Sequence, residues 1–405
     1  MEHPRLERIG GLLSRRHDGA TTIVTGPAPP DHSGRMAAVP APLILVVNPG
    51  SSSLKLSVLD GADAVVAEDE VATGGGGGED ELDAFLRGRA PRYDAAGVRV
   101  VHGGPTFRSA VRADDAVVAA LHGLSDLAPL HNPPAVHALR TLLRVDTTTP
   151  VVACFDTAFH ATMPAAATTY AVPWEWTERH GVRRYGFHGL SHAYATRRAA
   201  ELLGRPPSEL HLVTCHLGAG ASVCAVRGGE SVDTTMGFTP MEGLVMATRS
   251  GSLDPGALLH MQRRHGVSAA DAERVLDRES GLLGLSGVSA DLREVLAAAA
   301  GGVARARLAV DVYLHRLRRD TAAMAASLPR LDALVFTGGV GEHAAEIREQ
   351  ACAGLGVLGV RGGLRELPPG ATDGVVSTPG SAVAVVVLRA REDRQIAGEV
   401  RALLA

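Results

Sequence analysis

Lysine is almost missing from this chain of 405 residues: of 40 Lys and Arg side chains together, one is lysine, Lys55. Aromatic residues make up 3%, so no core of stacked rings is available and Ala, Val and Leu must fill the interior. There are four cysteines, Cys154, Cys215, Cys224 and Cys352, and none pair in a Cys-x-x-Cys spacing, which excludes zinc-ribbon and dithiol redox motifs. Their apolar settings predict buried, reduced thiols and a cytoplasmic location. No apolar run reaches the ~18 residues of a membrane span, which argues against a membrane partner. The formal net charge of -4 gives no basic surface for nucleic acid. A chain of this length is too long for one ordinary core, so two domains are expected. Residues 1–40 are rich in Arg, His, Gly and Pro and lack both an amphipathic period and a signal-peptide core. They are expected to be a disordered extension or, with Met36 just ahead of the first apolar run, a misassigned start.

The single lysine closes the tract Asn48-Pro49-Gly50-Ser51-Ser52-Ser53-Leu54-Lys55, between the apolar runs 43–47 and 56–59. A strand, a Gly/Ser turn and a second strand make a cradle for phosphate: backbone N–H groups, hydroxyls and one compact positive charge. The competing reading is a hairpin turn with an exposed lysine. A second copy stands at 212–223, where His216-Leu217-Gly218 aligns with Asn48-Pro49-Gly50 at an offset of 168 residues, continuing through Ala219 and Gly220. A repeat at that spacing predicts two related domains. A third glycine tract, 338–341, follows the apolar run 333–335. Glycines there let backbone approach a nucleotide closely. The three tracts together point to a nucleotide phosphotransfer enzyme.

The hydrophobic pattern predicts strands at 43–48, 54–60, 63–70, 97–102 and 151–155, with helices near 80–88, 114–122, 134–144 and 191–203. The second copy predicts strands from 211 to about 234 and at 332–336 and 382–388, with helices near 255–264, 269–280 and 302–327. This gives a first domain over 41–204 and a second, nucleotide-binding domain over 205–391. A last helix over 392–405 packs back on the first. Gly74–Gly78 reads as a flexible link.

Several short clusters do not look like ordinary core. Arg99 lies in a strand ending at Gly103-Gly104, and Leu130-His131-Asn132 is a polar loop before a helix. Asp156 ends a buried strand, His188 opens a helix, and Arg249 sits in a Gly-punctuated loop. Taken singly, each histidine is more readily a satisfied structural residue, and each arginine an ion-pairing one. Their clustering at strand C-termini favours a site, because α/β sites are assembled there.

The chain resembles the acetate kinase family, of the acetate and sugar kinase/heat-shock ATPase/actin superfamily, from about residue 43 to the C-terminus. The tract 48–55 matches that family's Asn-x-Gly-Ser-Ser-Ser-x-Lys signature, and 236–251 approximates its second signature. The resemblance implies an α/β fold of two duplicated ribonuclease H-like (actin-like ATPase) domains, with mixed sheets flanked by helices and an active site in the interdomain cleft. It implies reversible phosphoryl transfer between ATP and acetate, giving acetyl phosphate and ADP, with Mg²⁺ or Mn²⁺ as cofactor and a homodimeric state. By the same resemblance Arg99 and Arg249 hold the carboxylate and the phosphoryl group, and His188 bonds the equatorial oxygens. Asp156, Asn48 and Glu392 position the metal. Val101, Leu130, Phe187 and Pro240 form the methyl pocket. Ser51, Ser53, Lys55, His216, Leu217, Gly218, Ala219 and Gly220 line the phosphates. Asp291, Leu292, Arg293, Gly339, Val340, Gly341, Glu342 and His343 hold the adenosine.

The chain departs from the family pattern at Ala219 (Asn), Leu190 (Thr), Ala247 (Gly), Ser252 (Asp) and His343 (Asn), and its C-terminal pattern here reads 391–394 Arg-Glu-Asp-Arg. Two alternatives stay open: a propionate or butyrate kinase of the same family, and a nucleotide-binding regulator that has lost transfer.

Overall fold

Strand β1 (Ile44–Pro49) is apolar and buried through its first four residues, as a strand covered on both faces must be. The structure is a computed structural model that describes residues 42–50, 53–72, 79–88, 92–128 and 131–405. The expectations for 1–40, Met36, Ser51, Gly74–Gly78 and Leu130 lie outside the described residues. β2 (Ser53–Leu59) runs back antiparallel to β1, pairing Asn48 with Lys55, and β3 (Val65–Ala72) continues the meander. β4 (Ala95–Val100), β5 (Val111–Arg112) and β6 (Val151–Phe155) complete a six-stranded sheet of order β3-β2-β1-β4-β6-β5. In it β1, β4 and β6 are parallel, and β5 is an antiparallel edge.

The second sheet repeats this plan. β7 (His211–Leu217), β8 (Ala221–Arg227) and β9 (Glu230–Thr234) form the meander. β10 (Ala333–Thr337), β11 (Gly374–Val375) and β12 (Ala384–Val387) supply two parallel strands and an antiparallel edge. Read from the meander edge the order is β9-β8-β7-β10-β12-β11, strand for strand the same as the first. The fold is thus a duplication of one mixed sheet flanked by helices, the actin-like ATPase arrangement. Asn48 and His216 both fall near the ends of their first strands, as the 168-residue offset predicts.

Where expected elements differ, local chemistry explains it. The strand expected over 97–102 ends at Val100, because the next N–H groups find side chains: His102 N–H donates to Asn132 Oδ1 at 3.0 Å. The helices Gly281–Ser286, Leu292–Ala300 and Ala345–Ala353 and the two-residue edges β5 and β11 are too short for periodicity to reveal. Among the described residues, no helix is long and apolar enough to cross a membrane.

The helix Glu392–Leu404 returns to the first sheet. Ile396, Ala397 and Val400 are fully buried with Ile44, Val46, Cys154 and Leu190. Gly97 permits this, since a Cβ there would lie 2.5 Å from Ile396 and 2.7 Å from Val400. Burying Ile396 and Val400 contributes about 1.5–3 kcal/mol each, and that anchor fixes Glu392 at the helix start. Leu190, where the family pattern has Thr, joins this apolar contact.

Candidate active site

The three parallel strands of the first sheet deliver their polar residues side by side. Val98 lies beside Val47 and Arg99 beside Cys154, so Asn48, Arg99 and Asp156 form a row at the strand C-termini. Arg99 is the hub. Its Nε and Nη2 donate to Asp156 Oδ2 at 3.0 and 2.7 Å, and its Nη1 donates to Asn48 Oδ1 at 3.1 Å. Asn48 Nδ2 donates to Glu392 Oε2 at 3.1 Å, and Arg99 Nη1 lies 3.7 Å from the same oxygen. Burial raises the Asp156 carboxyl; Arg99 opposes the rise and Glu392 adds to it. Burial also works on Glu392, but Arg99, then His216 and the Asn48 amide, hold it below its ordinary value. One buried and one partly buried carboxyl group thus share one guanidinium.

Asp156 Oδ1 is buried and, among the described residues, has no hydrogen-bond partner. An orphaned anionic oxygen beside a second carboxylate and an amide is a donor set that suits a hard divalent cation. Among the described residues no group of three His, Cys, Asp or Glu side chains converges on one point. A metal here would therefore take the rest of its ligands from water and phosphate, the usual habit of Mg²⁺.

The facing groups come from the start of the helix Gly189–Leu203, from the second sheet and from the loop that carries Arg249. His188 starts the helix Gly189–Leu203 in a left-handed conformation (φ 57°), and its Nδ1 is 2.9 Å from Ser222 Oγ. Its Nε2 points towards the β7–β8 turn, where a Cβ on Gly220 would lie 3.3 Å from Nε2 and 3.6 Å from Arg249 Nη1. Arg249 is held by Nε donation to Asp277 Oδ1 at 2.7 Å. The His188 and His216 ring centres lie 4.2 Å apart at a tilt of 31°, and His216 Nδ1 lies 2.7 Å from Ser191 Oγ. Burial, then His216 and Arg99, push His188 well below its ordinary pKa, so its ring is neutral. Burial, then Arg249 and Arg99, push His131 down to about 4. Both histidines thus sense both arginines.

A cleft of 610 Å³ is lined by Asn48, Lys55, His216, Gly338, Gly339 and Glu392, among others. Lys55 combines the two sequence readings: its side chain is 64% exposed and 4.0 Å from Glu70 Oε1, yet it lines this cleft. Ser53 Oγ donates to the same Glu70 oxygen at 2.8 Å. Gly339 also lines a second, more apolar pocket of 860 Å³ with Gly218, Ala219, Asp291, Leu292, Arg293, Val340 and His343. Of the adenosine set, Gly341 is buried beneath Phe336 and Glu342 turns away, its Oε1 accepting from Ala390 N–H at 2.9 Å. Leu217 is fully buried and lines neither cavity. Val101 and Phe187 share one buried cluster, and Pro240 is half-buried. The loop carrying Pro240 is pinned by Arg184, whose guanidinium donates to Met236 O at 2.9 Å and to Glu242 at 2.8 Å.

Sequence reasoning left Asp277, Ser222, His192 and Thr214 out of the site and named Asn132 only as part of a polar loop, without a role. Asn132 is fully buried and clamps the main chain of His102, accepting from its N–H and donating to its carbonyl, each at 3.0 Å. One signal was available for it: the chain has two asparagines, Asn48 and Asn132.

Buried neutral histidines make stability depend on pH. Burial pushes His102 and His160 down to about 4, and each is at most 1% exposed. Unfolded, they titrate near 6.5. Between those values the unfolded chain binds more protons, so stability is complete above 6.5 and is lost as pH falls towards 4. At pH 5.5 each costs about 1.4 kcal/mol, together lowering Tm by roughly 4 °C relative to pH 7.5. A Tm that does not change across that window contradicts neutral burial.

The sequence pattern of the Acetokinase family matches residues 82–398. An acetate kinase of Synechococcus sp. (strain JA-2-3B'a(2-13)) is 49% identical over 327 residues, 80% of this chain and 79% of that one. Among solved structures, the acetate kinase of Porphyromonas gingivalis superposes with a TM-score of 0.80 at 34% identity, covering 90% of this chain and 100% of that one. A propionate kinase from Francisella tularensis subsp. tularensis SCHU S4 does so with a TM-score of 0.79 at 34% identity, covering 88% and 98%. With a pattern that spans most of the chain and relatives that cover 80–90% of it, this protein belongs to the acetokinase family.

Proposed function

We propose that the protein is an acetate kinase, which moves the terminal phosphoryl group of ATP reversibly to acetate, giving acetyl phosphate and ADP. The observation that carries this reading is the pairing of two walls: Arg99 with Asp156, Asn48 and Glu392 on one, Arg249 and His188 on the other. A carboxylate nucleophile is already ionised at neutral pH, so the reaction needs no general base. One acetate oxygen forms the new O–P bond, and ADP leaves with the electron pair of the old one. The need is for charge stabilisation at an in-line transition state, which two guanidiniums and a neutral imidazole N–H supply. Mg²⁺ (or Mn²⁺), held by Asn48, Asp156 and Glu392 directly or through water, would neutralise phosphate charge when bound.

In this proposal Ser51, Ser53, Lys55, His216, Gly218 and Gly220 face the phosphates, and the 860 Å³ pocket takes the adenosine. Val101, Leu130, Phe187 and Pro240 receive the methyl group. A cytoplasmic homodimer divided into domains over 41–204 and 205–391 belongs to the same proposal. The Francisella propionate kinase at comparable similarity favours one second reading, a longer-chain preference. ADP release measured across acetate, propionate and butyrate separates the two. An apolar pocket discriminates by about 1–3 kcal/mol per methylene, so kcat/KM is expected to fall roughly 10-fold or more at each step. A higher kcat/KM for propionate assigns the second reading, and ADP release indifferent to any carboxylate overturns both.

A further inference from the structure

A file of four side chains runs from the core of the second sheet to the site. Thr214 Oγ1, on β7, lies 2.7 Å from His192 Nδ1. His192 Nε2 lies 2.8 Å from Ser222 Oγ, on β8, which lies 2.9 Å from His188 Nδ1. Thr214, His192 and Ser222 are all completely buried. His192 sits one helical turn after His188 and donates its N–H to the His188 carbonyl at 2.9 Å, so the two rings share one rigid helix.

Each contact can hold one proton, and each neutral imidazole carries one N–H. Burial, and then the neighbouring histidines with Arg99 beside His188, keep both His188 and His192 neutral. Ser222 could also accept from both rings, but its own buried proton would then have no acceptor among the described residues, so the file runs in two senses. In the first, Thr214 donates to His192, His192 Nε2–H donates to Ser222, and Ser222 donates to His188 Nδ1. That leaves the His188 proton on Nε2, towards Gly220 and Arg249. In the second, every donor becomes an acceptor and Nε2 presents a lone pair. Thr214 selects between them. Among the described residues His192 is the one hydrogen-bond partner of its hydroxyl, so in the second sense that buried proton would have no acceptor there, a costly state. In the first sense every proton has a place.

We propose that Thr214, His192 and Ser222 are positioning residues that fix the proton of His188 on Nε2, making that nitrogen a hydrogen-bond donor to phosphoryl oxygens. The inference rests on the phosphoryl-transfer reading of the site. It adds that the state of His188 is set about two side chains away, in a region no substrate reaches. A lone pair at Nε2 would repel the oxygens that an N–H attracts, so the effect belongs to turnover rather than to ground-state binding.

The test is ¹⁵N NMR of the full chain with labelled histidine, His188 being assigned by its loss in His188→Gln. The wild type is expected to show a protonated Nε2 and an unprotonated Nδ1 at His188. Thr214→Val keeps the shape and removes the hydroxyl. It should produce a mixture of tautomers and lower kcat about 10-fold, with the KM values for ATP and acetate little changed. Thr214→Ser should restore both the spectrum and the rate, which a packing role would not require. A His188 proton on Nδ1 in the wild type overturns the proposal, as does a Thr214→Val protein with an unchanged tautomer and rate. Should Thr214→Val not fold, the wild-type spectrum still decides. A wild type with Nε2 protonated but no acetate-dependent ADP release would overturn the functional reading and leave the file of hydrogen bonds standing.

Discussion

Arg99→Ala and Arg249→Ala should each lower kcat by about 10²-fold or more, because each removes a preorganised charge facing the transferring group. Their effects on stability should differ. Arg99 is the partner of Asp156, whose side chain is 1% exposed, whereas Arg249 pairs with Asp277 at a position where both side chains are 18% exposed. Removing Arg99 strands a buried carboxylate, at a cost of about 3–5 kcal/mol, while removing Arg249 costs far less. Adding Asp156→Asn to Arg99→Ala should restore part of the lost Tm and none of the lost rate. Thermal melts and steady-state kinetics on the three proteins check this. An effect of either arginine confined to the KM for acetate would reassign it to ground-state carboxylate binding.

Gly189→Ala should be nearly inactive although it adds one methyl group. A Cβ at Gly189 would lie 2.1 Å from the Asp156 main-chain oxygen and 3.0 Å from Phe159 Cβ. Its N–H donates to that same oxygen at 2.8 Å, which ties the helix start to the end of β6. The methyl group must push Asp156 and His188 apart. Misplacing reacting groups by about 1 Å costs on the order of 10²-fold in rate, and overpacking costs about 1–3 kcal/mol or more. Gly204, at the other end of the same helix, is the control. A Cβ there meets nothing within 4 Å, so Gly204→Ala carries only the strain of φ 63°, about 1 kcal/mol, with normal kcat. Equal activity in the two variants would contradict the close approach.

The two-sheet plan was legible because its repeat is written in the chain: strand, glycine turn and strand, twice, 168 residues apart. The scarcity of lysine marked Lys55, and the scarcity of asparagine marks Asn48 and Asn132 equally well. Arg99, Asp156, His188 and Arg249 stood out as polar residues at strand and helix ends. Asp277 did not. It lies in the helix Ala269–Arg278, whose largely exposed residues read as an ordinary solvated face, and only the fold brings it to Arg249. Ser222 and Thr214 sit inside strands and look like filler, because their meaning depends on which helix crosses the sheet. Glu342 shows the converse: it directly follows the third glycine tract, yet the short helix Gly338–His343 directs it to Ala390 rather than into the pocket.

The central claim is that this pair of walls transfers a phosphoryl group to a small carboxylate. The most direct test is ADP release from Mg·ATP by the purified protein, followed in a coupled assay with and without acetate. The account predicts release that requires acetate, accompanied by acetyl phosphate in equal amount, and abolished in Arg249→Ala. ATP turnover that is the same with and without acetate, or no turnover at all in a folded protein that binds nucleotide, would contradict it.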